Sequence, residues 1–180
     1  LSYAIVSAAV LLIDQLTGKT FARTYFAVPG SLDGGSILGL VRLLTHVVGH
    51  ADWTHLMANF ALILLIGPIL EEKHGPGPLL LMMCTTALVT GLLNVILLPT
   101  ALMGASGIVF MMILLSSFTN IRSGEVPLTF VLVVLIYLTR EVVNAFDQDS
   151  ISQLAHIVGG ICGGLFGFVI TRGARSLAVA

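Results

Sequence analysis

The sequence predicts an all-α membrane protein, a bundle of six spanning helices with a long interfacial first loop. Three observations carry that prediction. Hydrophobic residues fill 57% of the 180 positions and charged residues only 9%. The mean hydropathy is +1.05, well above that of a water-soluble domain. The apolar residues fall into six runs, roughly 3–17, 54–71, 79–98, 104–119, 126–143 and 151–171, separated by glycine, proline and charge. Each run is near the length that a hydrocarbon core requires.

The chain opens on Leu1, and an initiator and any cytosolic extension are expected to be missing. The first run is read as a membrane helix rather than a cleaved signal segment. A polar, Gly-rich stretch from Gly18 to Gly39 follows, with Pro29-Gly30 and Gly34-Gly35 as turn signals, and is read as an interfacial loop. The later connections are short: Glu71 to Pro76, Pro99 to Met103, Asn120 to Glu125, and the acidic segment around Asp147 and Asp149. One domain over 1–180 follows.

An even number of spans puts both termini on one side. Lys73, Arg122, Arg172 and Arg175 would then oppose Lys19, Arg23, Arg42 and Arg140, so the positive charges tie and do not orient the bundle. Arg172 and Arg175, just past the last run, favour a cytosolic C-terminus. The fourth run is about 16 residues, or about 24 Å at ~1.5 Å per residue, short of the ~30 Å core. It is expected to begin below the surface. Its opening residues Gly104-Ala105-Ser106-Gly107 imply irregular backbone at membrane depth, which is tolerated only against protein or a water-filled cavity.

Composition also removes some functions. Eight Lys plus Arg against nine Asp plus Glu give a net charge of −1, with no basic surface for nucleic acid. Cys84 and Cys162 each lie in an apolar run, where a thiol behaves as a small hydrophobe and no disulfide framework is supported.

Four groups of residues could carry chemistry. Ser106, at the start of a helix, would have unpaired backbone N–H groups and the positive end of the helix dipole beside it, a setting that stabilises an oxyanion. A Gly-x-Ser-Gly pattern by itself, in a Gly-rich membrane protein, is a weak signal and fits a helix cap or a packing residue. His156 opens the last run, and Gly160, Gly163 and Gly167 are placed on its face, letting another helix come close. As an ionisable residue in a span it is a functional candidate, the alternative being a satisfied interior polar group. Ser and His together make a dyad, in which the imidazole takes the hydroxyl proton. His55 and Asn59, four apart on the second run, could both donate to an oxyanion or simply hydrogen-bond between helices.

His46, His50 and His55 could suggest zinc, but no His-Glu-x-x-His and no carboxylate at ligand spacing accompanies them. His46 and His50 are read as hydrogen-bonding residues that shape the loop, and no metal or other cofactor is expected. Asp14 is the only carboxylate deep in a run, which gives an aspartyl mechanism no pair to work with. Asn94 and Arg140-Glu141 are read as structural.

Val41-Arg42, Thr45-His46, His50, His55-Leu56-Met57-Ala58-Asn59, Glu71, Gly75, Gly104-Ala105-Ser106-Gly107, Ala155-His156-x-x-Gly159 and Gly163 occur in the order of the rhomboid protease signature. The chain resembles that family over roughly residues 41–167, with the first helix and most of the first loop matched only by position. The resemblance implies a six-helix bundle in which Ser106 attacks a substrate carbonyl and His156 serves as base and then acid, with no third acidic member. It implies an oxyanion hole of His55, Asn59 and the Ser106 N–H. It makes Glu71 similar to the family's buried glutamate near the inner face, and Arg42 similar to the arginine of its Trp-Arg motif. Substrates would be membrane proteins, cut in or beside a transmembrane segment after a small side chain, near the outer face. The compact six-span form implies a multi-pass protein of a bacterial plasma membrane.

Two positions depart from the family pattern. Val41 stands where tryptophan is usual, which bears on anchoring of the first loop. Phe110 replaces a frequent tyrosine, and its ring is expected to pack against His156. Other readings stay open at this point: an inactive rhomboid-like protein that binds membrane helices, a small transporter or channel, and a specialised branch trimming C-terminal sorting segments. Substrate and oligomeric state are left open too.

Overall fold

A computed structural model describes residues 1–31, 36–121 and 150–177, together with Leu128, Val131, Leu135 and Thr139. Its helices are α1 (Ser2–Leu16), α2 (Phe21–Phe26), α3 (Ile37–Thr45), α4 (Trp53–His74), α5 (Pro76–Leu97), α6 (Ser106–Ile121) and α7 (Ser150–Leu177). Five of the six apolar runs are helices. The fifth, 126–143, lies largely outside the described residues, as do Arg140-Glu141. Among the described residues, α4, α5 and Gln153–Ile170 of α7 are long and apolar enough to cross a membrane, and α1 and Ser106–Ser117 of α6 are shorter apolar helices.

Local chemistry explains the boundaries. Asp52 caps α4, its carboxylate accepting the His55 N–H at 2.8 Å. The predicted connector from Glu71 to Pro76 shrinks to one residue, Gly75, whose φ of +85° turns the chain while its N–H closes on the Glu71 carbonyl at 2.8 Å. Pro76 begins α5 instead of ending α4, because the first helical turn needs no N–H from it.

In α6, Ile108 to Ile113 are all buried. A helix covered on every side is the centre of its bundle. α4, α5 and α7 surround it. The closest approach is to α7, where a Cβ at Gly159 would overlap the Gly107 carbonyl and one at Gly163 would overlap the Met111 carbonyl. The bare face of α7 therefore runs through His156, Gly159 and Gly163. This corrects the predicted face through Gly160, where an added Cβ would meet only the Leu114 side chain, at 3.8 Å. The offsets i, i+3 and i+7 follow the contact line better than i, i+4 and i+7.

The first loop is built against the bundle. The buried Asp14 carboxylate accepts the Ala22 N–H at 2.8 Å and so starts α2, giving the lone carboxylate of the first run a structural use. The Arg42 guanidinium donates to the Thr24 carbonyl. On α3, Gly39 and Leu43 are buried while Ile37, Leu40, Val41 and Leu44 stay exposed, an apolar outer face suited to lipid. Tyr3 of α1 donates to the Val47 carbonyl at 2.7 Å and sets its ring edge-on to Phe60 of α4, with centroids 4.9 Å apart.

His46 and His50 tie down the end of this loop. His46 Nδ1 lies 3.2 Å from the Leu43 carbonyl and 3.3 Å from that of Arg42, and His50 Nδ1 lies 3.1 Å from that of Val48. Carbonyls only accept, so each Nδ1 carries the hydrogen. Burial is the main cause that lowers both imidazoles from 6.5 to about 4, with the neighbouring His55 adding to the effect at His50.

Two predictions follow from this packing. Gly163→Ala should destabilise the protein by the ~1–3 kcal/mol typical of overpacking, and Gly160→Ala by much less. Equal thermal midpoints in detergent for the two variants would refute the backbone contact. The lowered imidazoles mean that the unfolded chain takes up protons first, so their contribution is full above about pH 6.5 and is lost as pH falls toward 4. The midpoint should drop across that window, and less steeply in His50→Gln. An unchanged slope in that variant would show that His50 is not held neutral by the fold.

Candidate active site

The turn from Gly104 to Gly107 is held from several sides. Gly104 adopts φ +133°, a conformation that side-chain-bearing residues rarely take, and its N–H donates to the His46 carbonyl at 3.0 Å. A Cβ there would lie 2.7 Å from His55 Cε1, so glycine is required by both backbone and space. Upstream, Val28 and Leu102 exchange two backbone hydrogen bonds of 2.9 Å, joining the first loop to the segment before the turn. A Cβ at Gly30 would overlap the Pro99 carbonyl in the same place. Asn94 Nδ2 donates to the Thr100 carbonyl at 2.9 Å.

Ser106 begins α6 and is partly exposed. The first intrahelical bond of α6 runs from Val109 N to the carbonyl of the buried Ala105, at 3.0 Å. The N–H groups of Ser106, Gly107 and Ile108 precede it and have no carbonyl one turn back, which makes this helix start a place for negative charge.

His156 is buried in the first half of α7. Its ring lies on that of Phe110, with centroids 4.3 Å apart and planes inclined by 14°. The expected contact between Phe110 and His156 is therefore present as a stack. Ser106 and Phe110, four apart, share a face of α6, so the imidazole lies over the face from which Ser106 projects. Gly107, directly after the serine, abuts Gly159 and the Ala155 carbonyl, while Gly104, two residues before it, lies under the His55 ring. Ser106 thus stands between the segment carrying His55 and the segment carrying His156.

Asn59 is buried one turn below His55 and donates through Nδ2 to the His55 carbonyl at 3.1 Å. Its amide carries a second N–H. The His50 and His55 rings meet edge to face, with centroids 5.0 Å apart. Among the described residues, no three His, Cys, Asp or Glu side chains are grouped so as to hold a metal ion.

One expectation is corrected. Glu71 is exposed in the last turn of α4, where the packed face that runs through Ile63, Ile66, Gly67 and Leu70 ends. Its burial, implied by resemblance, is not found. Three residues were not singled out beforehand: Asp52 as the cap that sets His55, Val28 as the partner of Leu102, and Thr90. The Asp52 cap was legible as an acid three residues before His55 at the start of an apolar run, and Thr86, Thr90 and Asn94 at intervals of four formed a visible polar stripe. The Val28 bridge joins residues 74 apart and has no local signal.

Comparison with known proteins assigns this arrangement to a family. A family model described as the Rhomboid domain matches residues 38–173. Rhomboid-related protein 1 of Caenorhabditis elegans is 32% identical over 143 residues, 72% of this chain and 39% of that protein. Rhomboid protease GlpG of Pectobacterium atrosepticum is 27% identical over 172 residues, 93% of this chain and 61% of that protein. The putative rhomboid protease YdcA of Bacillus subtilis is 28% identical over 129 residues, 68% of this chain and 63% of that protein. The chain thus spans between 39% and 63% of the length of these relatives. The match takes in α4 to α6, most of α7, the Ser106 turn and the helix that carries His156, and the chain belongs to the rhomboid family of integral membrane proteins.

Proposed function

We propose that the chain is an intramembrane serine endopeptidase that cuts membrane-protein substrates in or beside a transmembrane segment. The observation that carries this reading is the placement of His156, stacked on Phe110 over the face of α6 whose first residue is Ser106. That the relatives GlpG and YdcA are named as rhomboid proteases supports it.

In this reading His156 accepts the Ser106 hydroxyl proton as the oxygen attacks the scissile carbonyl. The carbonyl oxygen gains a negative charge at the start of α6, where the Ser106 N–H, the His55 ring and the Asn59 amide donate to it. Collapse of the tetrahedral intermediate breaks the C–N bond, and the imidazolium returns its proton to the leaving amine. Water then enters from the aqueous side, His156 takes one of its protons, and attack on the acyl-enzyme releases the acid and restores Ser106. The aromatic stack fixes the plane of the imidazole, the task that an acidic third member performs in a triad. A substrate helix must unwind locally to present its carbonyl, and the cut is placed after a small side chain. The bacterial relatives support placement in a bacterial plasma membrane.

Two outcomes are expected. Ser106→Ala and His156→Ala should each lower turnover of a transmembrane substrate by at least about a thousandfold, and abolish labelling by a serine-directed fluorophosphonate, with the thermal midpoint retained. Near-normal turnover in either variant removes the dyad, and a folded wild type that never labels points to a non-cleaving binder of membrane helices. Asn59→Ala should cost about a hundredfold in kcat with little change in KM, because an oxyanion donor acts in the transition state. A rise in KM at constant kcat would place Asn59 in substrate binding instead.

A further inference from the structure

Thr90 lies in the second half of α5, buried, and has no part in the chemistry above. Its hydroxyl is within 2.8 Å of the Thr86 carbonyl, 3.0 Å of the Ala87 carbonyl and 3.4 Å of His46 Nε2. His46 carries its hydrogen on Nδ1, so all three neighbours are acceptors while the hydroxyl owns one hydrogen. The shorter contacts, both to its own helix, take that hydrogen and leave the approach to His46 long and weak. A threonine bonded back in this way has its χ1 set, and its methyl direction with it.

That methyl points at the first turn of α6. A Cβ built on Gly107 would lie 3.2 Å from Thr90 Cγ2 on one side and 3.3 Å from the Ala155 carbonyl on the other, while the Gly107 carbonyl abuts Gly159. Gly107 therefore sits in a slot walled by the Thr90 methyl, by Ala155 through its carbonyl and, at 3.9 Å, its Cβ, and by Gly159, and the Thr90 methyl is the nearest of the side chains. At the far end of the same segment Asn94, one turn along α5, holds the Thr100 carbonyl. Between these two grips lies Ser106.

We propose that Thr90 is a positioning residue that aims Ser106 by pressing its γ-methyl against Gly107, the hydroxyl serving only to orient that methyl. The proposal rests on the reading of Ser106 as nucleophile. It makes an unusual forecast for a buried threonine in a membrane helix: the apolar half of the side chain matters to catalysis more than the polar half.

The experiment compares Thr90→Ser, which keeps the hydroxyl and loses the methyl, with Thr90→Val, which does the reverse. The detergent-purified full chain is labelled with a fluorophosphonate over a range of concentrations. Thr90→Ser should lower the maximal labelling rate about tenfold with the half-saturating concentration unchanged, the signature of a displaced nucleophile. Thr90→Val should restore the rate to within about twofold of wild type. The opposite ranking, with Val slow and Ser normal, overturns the proposal, and so does an equal effect of both. Amide hydrogen exchange over residues 104–108 is measured on the same variants and needs no reactive serine. Faster exchange in Thr90→Ser alone supports the methyl contact, and unchanged exchange in that variant overturns it. A wild type that never labels removes the nucleophile, whereas the exchange result still decides whether Thr90 fixes the turn. As a cross-check, Gly107→Ala should cost less in the Thr90→Ser background than alone, because one wall has been withdrawn. Equal costs in the two backgrounds count against the contact.

Discussion

The backbone of α6 rests directly on the backbone of α7, with Gly107 against Gly159 and Met111 against Gly163. In a bilayer, lipid tails are as apolar as leucine, so helices gain little by hiding apolar surface and associate through close packing instead. Removing two side chains from one face of α7 lets the helices approach far enough for the rest of the site to form. At that spacing His156 reaches Phe110, and the first turn of α6 lies flush against Ala155. A wider separation would leave the serine and the histidine on their own helices with no common face. The site therefore depends on an absence of atoms as much as on the groups it contains.

The second constraint is the irregular backbone just before α6. Such backbone at membrane depth needs polar partners supplied by protein. Two of them come from elements remote in sequence, the His46 carbonyl for Gly104 and Val28 for Leu102, and one is local, Asn94 for Thr100. The first loop is accordingly a buttress of the site, tied in turn to α1 through Asp14 and Tyr3. Buried hydroxyls in the helices are handled differently. Thr86, Thr90 and Ser116 bond back to carbonyls of their own helices, which satisfies the group locally and frees the rest of the side chain for packing.

Much of the candidate site was legible because its residue types are costly in an apolar chain. His55, Asn59, Ser106 and His156 stand out against a membrane-helix background, and an intramembrane polar residue calls for an explanation. Glu71 was expected to be buried by resemblance alone, and a carboxylate at the end of an apolar run can reach water as easily as a buried partner. The face of α7 was placed nearly right, and the choice between Gly159 and Gly160 could not be made without the crossing geometry of the two helices. The connector after α4 was read too long because Gly-Pro marks a break without saying how few residues the break requires.

Hydropathy and spacing alone determined the membrane class, five helical runs that the structure describes, and the order of the chemistry-bearing residues, because each of these follows from local composition and helical period. Tertiary structure alone decided which faces meet. It brought His55 over Gly104 and Thr90 onto Gly107, and it paired Val28 with Leu102. Contacts between helices depend on crossing angle and separation, which are set by the sum of many packing choices. No single residue carries that information, and so the serine could be named from the sequence while the reasons for its placement could not.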